Sequence, residues 1–256
     1  MFKLRSLLFF MLLVAHSIRG DKHAEDIFIL AGQSNMAGRG GVADAKWDGR
    51  VPRECHPNPS ILRLTANLTW EEARDPLHAD IDVSRICGVG PGMAFANAVR
   101  THGSGIGVVG LVPCAVGGTS INQWARGSGL YNQLVRRSTE SVKNGGAIRA
   151  ILWYQGESDT GSKQDAETYK GKLEKLIQDF RSDLNLPSLP FIQVALASGE
   201  GEFVETVRKA QLEMNKVPNV KCVDAKGLPL KADNLHLTTA SEVKVGLMLA
   251  HAFLHS

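Results

Sequence analysis

Residues 26–36 have the sequence DIFILAGQSNM, in which an uninterrupted apolar run ends at Gly32, Gln33 and Ser34. Similar apolar runs follow, separated by amphipathic stretches, at residues 106–112, 148–154, 191–196 and 220–223. Strands that are apolar on both faces suit a parallel sheet that helices cover on each side. The sequence therefore predicts an α/β fold with a mainly parallel five-stranded sheet.

The segments between these strands carry helix signals. Pro91 precedes an apolar face at helical spacing, and the same spacing recurs over residues 169–184. Thr239 and Glu242 stand in capping-box spacing before the apolar run 243–254. These features predict helices on both sides of the sheet.

A region rich in proline, glycine and charge interrupts the pattern at residues 39–89, directly after the first strand. It contains one weaker candidate strand, at 61–64. Long excursions of this kind carry binding loops or lids. We expect a single domain over residues 21–256, with a loop insertion at about 39–89.

The first twenty residues have the composition of a secretory signal peptide. Lys3 and Arg5 precede an apolar run at 7–15, and small or polar residues follow up to Gly20. The run is shorter than the roughly 20 apolar residues that span a bilayer. A buried N-terminal helix is the alternative. We expect residues 1–20 to be cleaved and the protein to be secreted, to the cell wall or apoplast if the source is a plant.

Loss of this leader also changes the charge of the chain. Residues 1–20 hold three basic side chains and no acidic one, so the formal net charge falls from +3 to zero. No lysine or arginine run remains that would mark a surface for nucleic acid or anionic lipid. We expect a monomer that binds neither nucleic acid nor, after cleavage, a membrane.

Secretion permits disulfides and N-glycosylation. Four cysteines, Cys55, Cys87, Cys114 and Cys222, allow three pairings if all are used. Cys55 and Cys87 bracket the long excursion, which favours their pairing, and the other two are candidate free thiols of the core. No Cys-x-x-Cys motif or His/Cys cluster is present, so we expect no metal. Asn67 begins an Asn-x-Thr sequon and is a candidate glycosylation site.

Ser34 lies where the first strand turns into a helix. Ligands of open parallel sheets bind in the crevice beyond the carboxyl ends of the strands. A hydroxyl at this turn faces that crevice, and its N–H lies near a helix N-terminus that favours a developing anion. A lone serine there is also a common N-cap, so the interpretation depends on a second group.

His236 is the histidine that the predicted topology brings to the same edge. It lies between the last strand and the last helix, whereas the other seven histidines lie in the leader, the N-terminal segment, the excursion or at helix ends. Asp233, three residues earlier, places a carboxylate within one turn of the imidazole. Such a base and orienter activate a serine nucleophile. A solvated loop histidine is the alternative.

Two further loops supply hydrogen-bond donors at this edge. Gly117 and Gly118 follow a strand and let backbone N–H groups approach a ligand closely. Gln155 follows the next strand and offers an amide, and one positioned donor contributes about 2.7–4 kcal/mol of transition-state stabilisation. A plain turn and an ordinary loop amide are the alternatives. Glu157 and Asp159 are expected to order the Gln155 loop or to lie solvated at the surface.

Four blocks thus stand at strand ends: residues 32–36 (GQSNM), 117–119 (GGT), 153–159 (WYQGESD), and Asp233 with His236. Together they resemble the SGNH hydrolases, and more narrowly the sialate O-acetylesterase-like and plant carbohydrate esterases of carbohydrate esterase family six. The similarity extends from about Asp26 to the C-terminus. It implies a flavodoxin-like three-layer α/β/α sandwich, hydrolysis without a cofactor, and an acetylated carbohydrate as substrate.

Carried over by position, the resemblance makes Ser34 the nucleophile, His236 the base and Asp233 its orienter. The N–H groups of Ser34 and Gly118 and the side chain of Gln155 would form the oxyanion hole. The commoner SGNH pattern has Gly-Asp-Ser in the first block and asparagine at the position of Gln155. Four neighbours are candidate supporting residues: Gln33, Asn35, Gly117 and Glu157.

The sequence therefore predicts a serine esterase that removes O-acetyl or similar small acyl groups from carbohydrate, in particular plant cell-wall polysaccharide, through an acyl-enzyme on Ser34. A glycoside hydrolase would pair Glu157 with Asp159 or Asp233 as acid and base, which leaves Ser34 and His236 without a role. A secreted carbohydrate-binding protein without catalysis would be favoured if Ser34, Asp233 or His236 were missing. A dinucleotide site at 38–43 fits the glycine fingerprint loosely but begins several residues after the strand.

Overall fold

The structure is a computed structural model that describes residues 23–255, and the predicted signal peptide lies outside them. Nine strands form in this part of the chain: β1 (Asp26–Gly32), β2 (Val42–Ala43), β3 (Lys46–Trp47), β4 (Ile61–Leu64), β5 (Trp70–Glu72), β6 (Val109–Pro113), β7 (Ala147–Tyr154), β8 (Phe191–Ala195) and β9 (Val220–Asp224). Seven of them make one sheet in the order β5-β4-β6-β1-β7-β8-β9, and β2 pairs with β3 in a separate hairpin.

The main sheet is parallel except at one edge, where β5 runs antiparallel to β4. All five strands predicted from apolar runs are present, and their order β6-β1-β7-β8-β9 is the flavodoxin-like one. The predicted number of strands is wrong, because β4 joins β6 in parallel and β5 extends the sheet beyond it. The strand β5 has the sequence Trp-Glu-Glu and no buried residue, so no apolar run marked it.

Helices cover both faces of the sheet: α1 (Ser34–Ala37), α2 (Pro91–His102), α3 (Gly129–Ser141), α4 (Lys163–Asp183), α5 (Val204–Glu213) and α6 (Thr239–Leu254). On one face α2 packs against α6, and the ring of Phe28 in β1 meets Phe95 and Phe253 edge to face at 4.8 and 4.9 Å. On the other face Tyr131 of α3 stacks on Phe180 of α4. The three-layer α/β/α sandwich is confirmed. No helix within residues 23–255 is long and apolar enough to cross a membrane.

The start of α6 differs from the prediction. Thr238 rather than Thr239 caps the helix, by accepting the N–H of Ser241 on its side chain. Glu242 is fully buried in the first turn and does not form the predicted capping box with Thr239. The spacing that indicated the box was therefore a coincidence of sequence.

Buried Arg137 of α3 ties the excursion 39–89 to the sheet. Its guanidinium donates to the carbonyls of Leu64 (2.7 Å), Thr65 (2.9 Å) and Pro113 (2.9 Å). These bonds hold the end of β4 beside the end of β6. Asn67 lies exposed in the turn between β4 and β5, and its glycosylation stays a prediction.

The four cysteines carry free thiols, so the predicted Cys55–Cys87 disulfide is not formed. Cys55 lies in a 3₁₀ turn that packs against α2. The Cys87 sulfur instead accepts a hydrogen bond from the Arg39 guanidinium at 3.5 Å. The two thiols therefore occupy different surroundings, although their positions bracket the same excursion. Burial raises the pKa of Cys87 to about 11.

Candidate active site

Ser34 begins the single-turn helix α1 at the carboxyl end of β1. The preceding Gln33 N–H donates to the Tyr154 carbonyl at the end of β7 (2.8 Å). Gly32 makes this close approach possible, because its φ is +130° and a Cβ there would lie 2.1 Å from the same carbonyl oxygen. The turn puts the Ser34 side chain at the edge of the sheet where a ligand is expected.

His236 and Asp233 meet Ser34 from the loop between β9 and α6. The Nε2 atom of His236 lies 3.0 Å from Ser34 Oγ, and its Nδ1 atom lies 2.9 Å from Asp233 Oδ2. Asp233 Oδ1 also accepts the N–H groups of Leu235 (3.0 Å) and His236 (2.9 Å), so the carboxylate is fixed within its own loop. The structure thus brings the hydroxyl, imidazole and carboxylate into one hydrogen-bonded chain.

The surroundings of His236 favour a neutral imidazole, which can accept a proton. Burial lowers the pKa of His236, although Asp233 acts in the opposite direction. Partial burial disfavours the charge on Asp233, but hydrogen bonds from the His236 N–H, the imidazole and the Leu235 N–H outweigh it and hold the pKa of this carboxyl well below its usual range. Asp233 is therefore ionised wherever His236 can work as a base.

The Gly117-Gly118 turn lies next to Ser34. A Cβ on Gly117 would lie 3.5 Å from the Ser34 Cβ, and Gly118 has a φ of +72° that favours glycine. Among the described residues, the N–H groups of Ser34 and Gly118 donate to no other group. Both are therefore available to stabilise an oxyanion.

The side-chain amide of Gln155, in contrast, is not available to an oxyanion. The side chain is fully buried, and its Nε2 donates to the Thr119 carbonyl (2.8 Å) and to Asp159 Oδ2 (2.6 Å), with Gln33 Oε1 at 3.2 Å. Asp159 also accepts the N–H of Ile121 at 3.1 and 3.0 Å. The expectation that Gln155 lies over the crevice is wrong, because buried acceptors in the protein already use its donors. Gln155 instead holds the turn that carries Gly118.

The candidate supporting residues Gln33, Asn35 and Glu157 are buried and hydrogen-bonded close to Ser34. Gln33 Oε1 accepts the N–H groups of Gly156 (3.3 Å) and Ser158 (3.4 Å). Asn35 donates to Glu157 Oε1 at 2.7 Å, and both side chains are fully buried. Burial raises the pKa of Glu157 to about 7. The solvated surface position considered for Glu157 is therefore wrong.

Arg39 and Asp82 form a buried ion pair that sequence reasoning missed. The Arg39 guanidinium donates to Asp82 Oδ2, and the same oxygen accepts the Gly117 N–H at 3.2 Å. A Cβ on Gly117 would lie 2.5 Å from the guanidinium, so the pair lies directly behind the glycine turn. Arg39 stands five residues after Ser34, but Asp82 lies in the excursion, where no periodicity indicates which side chains turn inward.

A crevice of about 590 Å³ opens in front of His236. One wall is formed by the hairpin β2–β3 region and the other by the 83–86 loop, in which Val83 and Ile86 are among the most exposed large apolar side chains. This volume is in the range of small-ligand sites. The excursion 39–89 thus supplies walls of the crevice in front of His236.

A family model described as a carbohydrate esterase, sialic acid-specific acetylesterase, matches residues 24–255. The chain belongs to this carbohydrate esterase family. A probable carbohydrate esterase of Arabidopsis thaliana is 60% identical over 235 residues, which is 89% of this chain and 90% of the relative. An Arabidopsis thaliana protein solved at 1.6 Å is 59% identical with a TM-score of 0.88, covering 91% of this chain and 99% of that one.

More distant structures share the fold of this carbohydrate esterase. NanS is 16% identical with a TM-score of 0.72, over 91% of this chain and 97% of its own. A carbohydrate acetylesterase from Xanthomonas citri is 20% identical with a TM-score of 0.65, over 90% of this chain and 56% of its own. At these identities the similarity concerns the fold alone.

The alternative sites fit the carbohydrate esterase poorly. Glu157 and Asp159 are both fully buried, and neither lines the crevice, so they are not placed as a glycosidase pair. Gly38 is the C-cap of α1, so the 38–43 glycines follow a helix end, whereas a dinucleotide fingerprint opens a helix. Within residues 23–255, no three His, Cys, Asp or Glu side chains are grouped to hold a metal ion.

Proposed function

We propose that this carbohydrate esterase hydrolyses O-acetyl esters of carbohydrate through an acyl-enzyme on Ser34. The observation that carries the proposal is the hydrogen-bonded chain from Ser34 Oγ through His236 to Asp233, with distances of 3.0 and 2.9 Å. Nucleophile, base and orienter in this sequence form the arrangement that activates a serine.

In the first half of the reaction, His236 Nε2 takes the Ser34 hydroxyl proton while Oγ attacks the acetyl carbonyl. The N–H groups of Ser34 and Gly118 stabilise the tetrahedral oxyanion. The bond between the carbonyl carbon and the sugar oxygen then breaks, and His236 returns the proton to the leaving alcohol. In the second half, His236 takes a proton from water as the water oxygen attacks the acyl carbonyl. The bond between this carbon and Ser34 Oγ then breaks, His236 returns the proton to Oγ, and acetic acid leaves and ionises to acetate. General-base assistance accelerates such steps by about 10²–10⁴-fold.

The proposed natural substrate is an acetylated plant cell-wall polysaccharide. The 60% identity to a probable carbohydrate esterase of Arabidopsis thaliana supports a plant-type carbohydrate. The crevice is open to solvent and has polar and apolar walls, which suits one unit of an extended chain better than an enclosed small molecule. Xylan, pectin and mannan differ in the position of their acetyl groups and are the polymers to compare.

The test is an acetate-release screen with purified protein over acetylated xylan, pectin and mannan and one aryl acetate. We expect acetate release without added metal, at a rate that a chelator leaves unchanged. Reducing-end release from the same polymers is measured in parallel, since a glycosidase would produce ends and no acetate. Polymer binding without either product would identify a binding protein and overturn the proposal.

We also propose that the protein is secreted as a monomer after cleavage of residues 1–20. The basic flank and the short apolar run of the leader support cleavage and secretion. Expression of the full chain in plant cells tests it: the mature N-terminus is sequenced from the apoplastic fluid, and the mass is measured by light scattering. Retention of the uncleaved chain inside the cell would contradict the proposal.

A further inference from the structure

The side chain of Asn35 joins the nucleophile turn to the loop of the base. Its Nδ2 donates to Glu157 Oε1 at 2.7 Å, and its Oδ1 accepts the N–H of Leu237 at 3.0 Å. Asn35 follows Ser34 directly, and Leu237 follows His236 directly. One fully buried amide therefore connects the neighbours of the two reacting residues.

The chemistry of its partners fixes the direction of this amide. The Leu237 N–H is a donor only, and an ionised carboxylate is an acceptor only. Asn35 must therefore turn its oxygen toward Leu237 and its NH₂ group toward Glu157. The reverse orientation would oppose two donors on one side and two acceptors on the other, inside a site that excludes water.

Most other hydrogen bonds of the His236 loop (residues 225–238, between β9 and α6) are formed within the loop. The Lys231 N–H donates to the His236 carbonyl at 2.8 Å, and Leu230 bridges to Leu237. These bonds give the loop its shape but do not set its position relative to Ser34. The contact with Asn35 does, together with a bond from Ser198 Oγ to the Leu235 carbonyl at 2.5 Å.

We propose that Asn35 is a positioning residue that holds the His236 loop at hydrogen-bond distance from Ser34, and that Glu157 fixes the orientation of its amide. The inference rests on the proposed function, because it requires Ser34 and His236 to be the reacting pair. Neither Asn35 nor Glu157 touches the substrate in this role. Their effect is on the distance between the nucleophile and its base.

An exchange of donor and acceptor tests the proposal. N35D keeps an acceptor for the Leu237 N–H but sets a second carboxylate against Glu157. E157Q removes that charge, and in the double variant N35D/E157Q the introduced amide donates to the introduced carboxylate. The hydrogen bond is thereby restored in the opposite direction. Asn144, which is exposed, provides the matched control N144D.

Rates are measured on an aryl acetate at about pH 8.5, where Glu157 is ionised. We expect N35D to lower kcat by about 10²-fold, the cost of a displacement near 1 Å, while KM changes by less than about threefold. E157Q should lose only a few-fold, because a neutral amide oxygen still accepts from Asn35. The double variant should recover to the level of E157Q, and N144D should match the wild type.

A melting temperature for each variant separates positioning from unfolding. If N35D does not fold, N35S replaces it, since it removes both bonds without adding a charge; its loss in kcat should not be recovered by E157Q. Wild-type kcat in N35D or N35S, or a folded double variant no faster than N35D, would overturn the inference. A wild-type protein that is inactive on every ester would instead be a failure of the proposed function.

Discussion

His236 Nε2 lies 3.0 Å from Ser34 Oγ, although 202 positions of chain separate the two residues. The strands that carry them, β1 and β9, are separated in the sheet by β7 and β8. The loop after β9 must therefore extend along the sheet edge to bring the imidazole to the β1 turn. The activity proposed for this protein depends on this contact between His236 and Ser34, and the variants below test it.

Removal of either member of this pair should abolish turnover. We expect S34A and H236A each to lower kcat on an aryl acetate by about 10⁶-fold, because nucleophile and base act as one unit. S104A and H102A are matched controls, since both residues are exposed and lie outside the crevice. Unchanged melting temperatures would show that the fold persists, and a full-rate S34A would exclude the acyl-enzyme.

Asp233 should be less essential for turnover than His236, and its replacement should change the pH dependence of the activity. D233N is expected to lower kcat by roughly 10³–10⁴-fold, so that activity above that of S34A remains. The neutral imidazole is the active form, and burial lowers the pKa of His236 from 6.5, so the acid limb of kcat/KM in the wild type lies below about pH 6.5.

Asp233 raises the pKa of His236. Its replacement by a neutral amide should therefore move the acid limb of the residual activity to lower pH, even though the rate at the plateau falls. The profile is measured with the aryl acetate from about pH 4 to 8. A limb that moves to higher pH in D233N would contradict the electrostatic role of this carboxylate.

Ligands of parallel sheets bind beyond the carboxyl ends of the strands, and this rule explains why the sequence predicts that Ser34 and His236 lie close together. Ser34 and His236 each follow a parallel strand, and such ends meet at one edge whatever the details of packing. The sequence also predicts the correct edge for Gln155, but the role of this amide depends on a buried acceptor, Asp159, whose side-chain direction no spacing encodes. Asp82 lies in an aperiodic segment, so its bond to the Gly117 N–H was not visible in the sequence.

The Gln155 amide and Asp159 should act on the Gly118 turn as one unit. We expect Q155A and D159A each to lower kcat by about 10–10²-fold with little change in KM. The kcat of the double variant should be no lower than that of the less active single variant. A Gln155 that donates directly to the oxyanion would cost about 10²–10³-fold alone, and its loss would multiply with that of Asp159. A double-mutant cycle on the aryl acetate distinguishes the two outcomes.

The free thiols predict that a reductant has no effect on the stability of the protein. Cys55, Cys87 and Cys114 are buried, and burial raises the pKa of Cys114 to about 11, so these thiols should react slowly in the native state. After unfolding without reductant, all four cysteines should titrate with an aryl disulfide reagent. Two missing thiols would show that the Cys55–Cys87 pair forms after all.

The buried carboxyl of Glu157 should make stability depend on pH. Its pKa in the folded protein is about 7, above the ordinary value of 4.5, so the folded state keeps a proton that the unfolded chain has already released. Its contribution is complete below about pH 4.5, declines as the pH rises toward 7, and is constant above that. The decline amounts to roughly 3 kcal/mol, because one pKa unit corresponds to about 1.4 kcal/mol.

E157Q does not titrate at this position, so it should lose none of this stability. We therefore expect the free energy of unfolding of E157Q, relative to the wild type, to increase between about pH 4.5 and 7 and to level off above pH 7. Urea unfolding of both proteins across this range measures the difference, and N144D controls for a general effect of substitution. A difference that is constant with pH would mean that Glu157 ionises in the folded protein as it does in water.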